Sequence, residues 1–140
     1  MRTVLTLLLA FSCALVCGAC SGDDSLYSGS WVEPEAPLRL EPGKFSTVSL
    51  EVMNKGTATW TGEDVYVQAQ EVPDAWIGGM LRLTRQTKPG EVGTFRGNLS
   101  PGDGVGLFEV RWEVLTRGAV FGEPLDTVVE VTCPDEVTCG

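Results

Sequence analysis

Five cysteines, nineteen carboxylates and no histidine define the chemistry open to this chain of 140 residues. Without an imidazole it lacks the commonest general acid–base, the usual activator of a Ser or Cys nucleophile, and the commonest metal ligand. Cys13, Cys17 and Cys20 lie near the start, and Cys133 and Cys139 at the end. Neither group has the second half-site that zinc requires. In an oxidising compartment Cys133 and Cys139 are expected to pair, closing a small loop worth roughly 2 kcal/mol by chain entropy. Nothing basic or helical beside them would lower a thiol pKa, as redox work demands. Carboxylates are plentiful enough for glycoside hydrolysis, yet no spacing singles out a pair. Glu63-Asp64 and Asp103 fit turns better than a calcium loop, which needs six or more oxygens. The expectation is therefore a non-catalytic protein with no cofactor and no metal. Trp31 and Trp76 remain as candidate ligand contacts, since loop tryptophans stack on sugars or grip protein partners. The competing role for Trp76 is to cover one end of a core.

The surrounding chain says where such a protein works. Nineteen acidic against ten basic residues leave a formal charge of −9, a surface that repels nucleic acid. Arg2 precedes a nearly continuous apolar run from Val4 to Val16, then Gly18-Ala19, Cys20 and polar Ser21-Gly22-Asp23-Asp24. A basic start, a short apolar stretch and a small-residue cleavage site make a secretory signal peptide over 1–19. The run is shorter than the about 20 apolar residues of a membrane-spanning helix. Cys17-Gly18-Ala19-Cys20 resembles a bacterial lipobox, with Cys17 replacing the usual Leu. The resemblance implies a lipid on Cys20, palmitate among its acyl chains, and anchoring to a bacterial cell envelope, at the outer membrane, the cell surface or a periplasmic face. Two or three acyl chains make such attachment stable. Residues 20–30, rich in Gly and Ser, read as a flexible tether.

Residues 31–140 then form one domain, large enough to bury a core. Leu38 and Leu40, set between prolines, suggest a short edge strand. Val48, Leu50 and Val52 alternate with polar residues, as do Val65, Val67 and Ala69. Between these runs lies Asn54-Lys55-Gly56, whose Asn and Gly tolerate positive φ, followed by Trp60. A tight hairpin would set Leu50 opposite Trp60, whereas an arch between sheets would place Trp60 in the space between them; the arch is preferred. Leu81 and Leu83 form another short strand, and Phe95 and Leu99 share a face. The clearest strand has Phe108, Val110, Trp112 and Val114 on one side, with Glu109, Arg111 and Glu113 on the other. About seven short strands, frequent Gly/Pro turns and no helical period predict an all-β, immunoglobulin-like or fibronectin-III-like antiparallel β-sandwich.

Asn54-Lys55-Gly56-Thr57-Ala58-Thr59-Trp60 resembles the Asn-x-Gly-Thr-x-x-Trp signature of the four-tryptophan domain, the immunoglobulin-like module of the next-to-BRCA-one autophagy receptors and of many bacterial surface proteins. Pro42-Gly43, Pro89-Gly90-Glu91, Gly106-Leu107-Phe108-Glu109-Val110-Arg111-Trp112 and Phe121-Gly122 follow the family's order over residues 38–131. Leu50 and Asp126 stand where two family tryptophans would be, and Trp31 and Trp76 are additional. The resemblance implies the fold, a motif core of Asn54, Gly56, Trp60, Gly106, Trp112, Phe121 and Gly122, and a non-catalytic interaction module. The partner is then an envelope protein or, alternatively, a glycan such as peptidoglycan, met on the far side of a lipid-anchored tether. No nucleic acid is expected.

Overall fold

The computed structural model describes residues 26–134, and the signal peptide, Cys20 and Cys139 lie outside the described residues. Among the described residues there is no helix. Nine strands form in chain order: β1 (Gly29–Val32), β2 (Leu38–Leu40), β3 (Ser46–Asn54), β4 (Val65–Glu71), β5 (Ile77–Gly78), β6 (Met80–Leu83), β7 (Val92–Ser100), β8 (Gly106–Thr116) and β9 (Ala119–Val131). They make a single curled sheet in the order β1-β3-β7-β6-β4-β8-β9-β2, with β5 appended to β7. Nine rather than about seven strands arise because β1 and β5 pair through residues whose sequence has no alternating pattern. The sheet is mixed rather than wholly antiparallel, since β2 runs parallel to β9, with Leu38 opposite Val129.

Alternation places the core. Val48, Leu50 and Val52 of β3, Val65 and Val67 of β4, Leu81 and Leu83 of β6, Phe95 and Leu99 of β7, and Val110, Trp112 and Val114 of β8 all point into one buried cluster. Its two largest side chains are Trp60 and Trp112, both fully buried. Leu50 lies opposite Phe95 on β7, and β3 makes no pairing with β4. The chain therefore crosses after Asn54 rather than folding back as a hairpin. Trp60 does not open a strand: it forms an isolated bridge with Thr87, and the strand begins at Val65.

Two expectations need correction at this end. The composition of residues 20–30 suggests a tether throughout, but the chain is already docked at Leu26. Ala58 N–H donates to the Leu26 carbonyl at 3.0 Å and Lys55 N–H to the Ser28 carbonyl at 2.8 Å. Tyr27 packs on Phe121 at 5.7 Å between ring centroids, and Gly29 and Ser30 pair with Asn54 and Met53. Nor does the Asn54–Gly56 reversal use positive φ, which occurs elsewhere, for example at Arg117 and Gly118 of the β8–β9 turn and at Gly122. It is an Asx turn, in which the side chain replaces a backbone acceptor.

Curling brings β1 against β9. Gly122 has φ 76°, and a Cβ there would stand 3.2 Å from the Gly29 carbonyl oxygen. Gly122→Ala is expected to cost about 1–2 kcal/mol for the left-handed backbone. It should also part β1 from β9, seen as a shift of the Trp31 indole N–H resonance, because that group donates to the Glu123 carbonyl at 2.7 Å.

Candidate functional site

Strand direction gives the molecule two ends. The connections 55–64 and 84–91 and the Arg117-Gly118 turn share the end where Leu26 enters. The connections 41–45, 72–76 and 101–105 and residues 132–134 share the other. The residues of β8 alone separate the two by about 35 Å.

The motif residues other than Gly106, which opens β8 at the far end, gather at the entry end and beneath it, and their work is structural. Asn54 is fully buried and its amide is fully used. Nδ2 donates to the Ala58 carbonyl at 2.9 Å and to the Thr87 carbonyl at 3.1 Å, while Oδ1 accepts from Gly56 N–H at 3.0 Å. Its backbone N–H donates to Glu91 O and its carbonyl accepts from Gly90 N–H, which ties in the Pro89-Gly90-Glu91 turn. The crossover and the β6–β7 connection thus meet on one residue. Trp60 packs against Phe95 and Phe121 at centroid distances of 6.2 and 5.7 Å, and its indole N–H is buried without an acceptor. Trp112 donates to Thr127 Oγ1 at 2.9 Å. Gly106 opens β8 with φ 137°.

Trp31 and Trp76 are both half-buried against the core cluster. The Trp31 indole N–H is held by the Glu123 carbonyl, and Trp76 meets the Phe108 ring edge-on at 5.3 Å. Both indoles are thus engaged in packing, and Trp76 covers the far end of the core. The apolar groups that do face solvent there are not among the candidate contacts: Leu107 is 71% exposed, Phe45 and Ile77 60% each, and Val105 58%. The register sets Ile77 opposite Ser100 and Ser46 opposite Leu99, so Phe45 and Ile77 flank Ser100 on the outer face. Phe45 follows Gly43-Lys44 in a turn pinned by Gly43 N–H to the carbonyls of Pro101 and Gly102. Sequence reading missed these groups because they lie in three separate segments, with Phe45 and Ile77 each a lone large apolar residue near turn residues.

Among the described residues no group of His, Cys, Asp and Glu is placed to hold a metal. Asp64 accepts from Thr61 Oγ1 at 3.1 Å and pairs with Arg117 at 3.6 Å, which is turn and ion-pair work. Carboxylates do line one groove of about 250 Å³, where Glu33 and Glu35 face Leu125–Val128 of β9. Asp126 in its wall is bound by Arg111 through contacts of 2.9 and 3.3 Å. The guanidinium's hydrogen bond holds that carboxyl below its ordinary range, and the Asp126 bond in turn raises Arg111. An Asp kept ionised in this way is a poor proton donor. Cys133 is disulfide-bonded, and Cys139 lies outside the described residues.

No protein-family model and no curated protein sequence matches the chain. Many solved structures are distantly similar, and three of them serve as examples. AvmM, which catalyses macrocyclization in alchivemycin A biosynthesis, is 12% identical with a TM-score of 0.41, over 81% of this chain and 93% of its own. The secreted serine protease VesC from Vibrio cholerae is 11% identical with a TM-score of 0.39, over 83% of this chain and 26% of its own. The ASH/PapD-like domain 7 of human CEP192 is 14% identical with a TM-score of 0.36, over 80% and 89%. At such scores none of them bears on what this chain does.

Proposed function

We propose that this chain is a bacterial envelope lipoprotein, anchored through lipid on Cys20, whose immunoglobulin-like β-sandwich of the four-tryptophan type is a non-catalytic protein-binding module. The observation that carries the reading is the apolar far end. Phe45, Ile77, Val105 and Leu107 are exposed on the side opposite to where the tether joins, over a base stiffened by Trp76 and Phe108. Exposed apolar groups gathered at one end of a domain are what a protein partner buries at the centre of an interface. The glycan reading is less favoured, because both candidate tryptophans are committed to packing.

The test is photo-crosslinking in the native envelope. A photoreactive residue at Ile77 is expected to trap one discrete protein, and the same residue at Lys55, at the entry end, is expected not to. Phe45→Ser with Leu107→Ser should abolish the adduct while leaving the fold intact. Palmitate incorporation should disappear in Cys20→Ala. A diffuse smear from Ile77, or an adduct that survives the double change, would sink the protein-binding role. Undiminished labelling of Cys20→Ala would sink the anchor.

A further inference from the structure

The curled sheet has a seam. Chain passing from β1 to β2 leaves one end of the sheet and joins the other, so β1 and β2 lie in turn along the same edge of β9. Near Gly122 the seam is shut by Gly29, and from Val129 onward it is shut by β2. Between these, Leu125–Val128 of β9 line the groove of about 250 Å³ whose other wall is Glu33-Pro34-Glu35-Ala36-Pro37.

Parity shows which backbone groups face it. Thr132 N–H donates to the Leu40 carbonyl on the β2 side. Backbone groups alternate along a strand, so those of Val128 and Asp126 point to that side as well, away from β8. β2 begins at Leu38, opposite Val129, and does not reach the Asp126 and Val128 amides. Two prolines in the facing wall lack N–H groups and cannot complete a ladder. Among the described residues Glu33 and Glu35 make no ion pair, which leaves two uncompensated carboxylates above an open strand edge. Leu125 and Thr127, which alternate with Asp126 and Val128, are buried and form the floor.

We propose that this seam binds an extended peptide segment of a partner protein, which adds to β9 along Leu125–Val128 and sets Lys or Arg side chains against Glu33 and Glu35. Main-chain hydrogen bonds to Asp126 and Val128 fix its register, and the carboxylates select its charge. The shallow floor admits small residues on the inward side. A second copy of this chain is a poor occupant, since its net charge is of the same sign. The site is separate from the apolar far end and does not rest on it.

The test is amide hydrogen exchange followed by NMR on the full chain, with acetyl-Val-Lys-Val-Arg-Val-amide as probe. At saturation, exchange of the Asp126 and Val128 amides is expected to slow at least tenfold, with little change on β5 or β7. Glu33→Lys with Glu35→Lys, both exposed, should weaken binding tenfold or more without altering the rest of the spectrum. A probe N-methylated at its central valine should lose the protection, and acetyl-Val-Glu-Val-Glu-Val-amide should give none. Phe45→Ser should leave the effect unchanged, which separates this site from the far-end reading. Unchanged exchange at Asp126 and Val128, protection equal with the acidic probe, or undiminished binding by the double variant would each overturn the proposal.

Discussion

Asn54→Ala is expected to destabilise the domain by about 3 kcal/mol or more, read as a fall in the urea midpoint with the disulfide kept intact. The change removes one amide, leaves the buried Gly56 N–H without its acceptor and the part-buried Ala58 carbonyl without this donor, and reduces the Thr87 carbonyl to the single bond from Trp60 N–H. Each buried polar group left unpaired costs about 1–3 kcal/mol. Asn54→Asp is the sharper experiment because it preserves shape and the bond from Gly56. It replaces an NH2 donor by an oxygen facing two carbonyl oxygens, and it should be at least as costly at neutral pH. Protonation restores one donor, so the folded carboxyl must titrate above its unfolded value of about 3.9. The native state then binds more protons than the unfolded state, and stability falls as pH rises. The variant should be most stable below about pH 3.9 and lose that advantage as pH climbs through the raised folded value. A pH-independent deficit in Asn54→Asp would show that the amide only shapes the turn.

Trp112→Ala and Trp60→Ala are each expected to cost about 3–5 kcal/mol, as large-to-small changes at fully buried sites. Phenylalanine separates them. Trp112→Phe takes away the donor to Thr127 Oγ1 as well as volume. Trp60→Phe removes an indole N–H that has no acceptor, so part of the lost packing is offset by no longer burying that group. Denaturant titration should place Trp60→Phe above Trp112→Phe in stability by about 1 kcal/mol. The reverse order would mean that the Trp60 N–H is satisfied in solution.

Much of the sheet was legible because period-2 alternation is local. Leu50, Val67 and Trp112 could each be assigned to the buried face from their immediate neighbours, and each is buried. What depended on partners was not legible. Gly29-Ser30 looks like linker by composition, and becomes a strand only because Asn54 and Met53 of β3 are in register with it. Ile77-Gly78 is a strand only because Ser100 and Leu99 lie alongside. Asn54 was recognisable as a turn residue, but the carbonyl of Thr87 that it holds is 33 positions away. Sequence leaves open whether Trp31 and Trp76 are exposed contacts or, for Trp76, a cover over the core. The groups exposed in fact are Phe45, Ile77, Val105 and Leu107, brought together by chain crossings that no window of sequence contains.

By itself the sequence determined the all-β class, the faces of its longer strands and the two large tryptophans of the core, because all three follow from side-chain alternation and volume. Only the tertiary structure decided how the sheet curls, which aromatics reach solvent, and that the prolines between β1 and β2 leave a strand edge open. Those features depend on which distant backbones lie side by side. The chemistry that could serve this protein therefore sits at positions whose local sequence is ordinary, while its most recognisable motif, from Asn54 to Trp60, is spent on holding the fold.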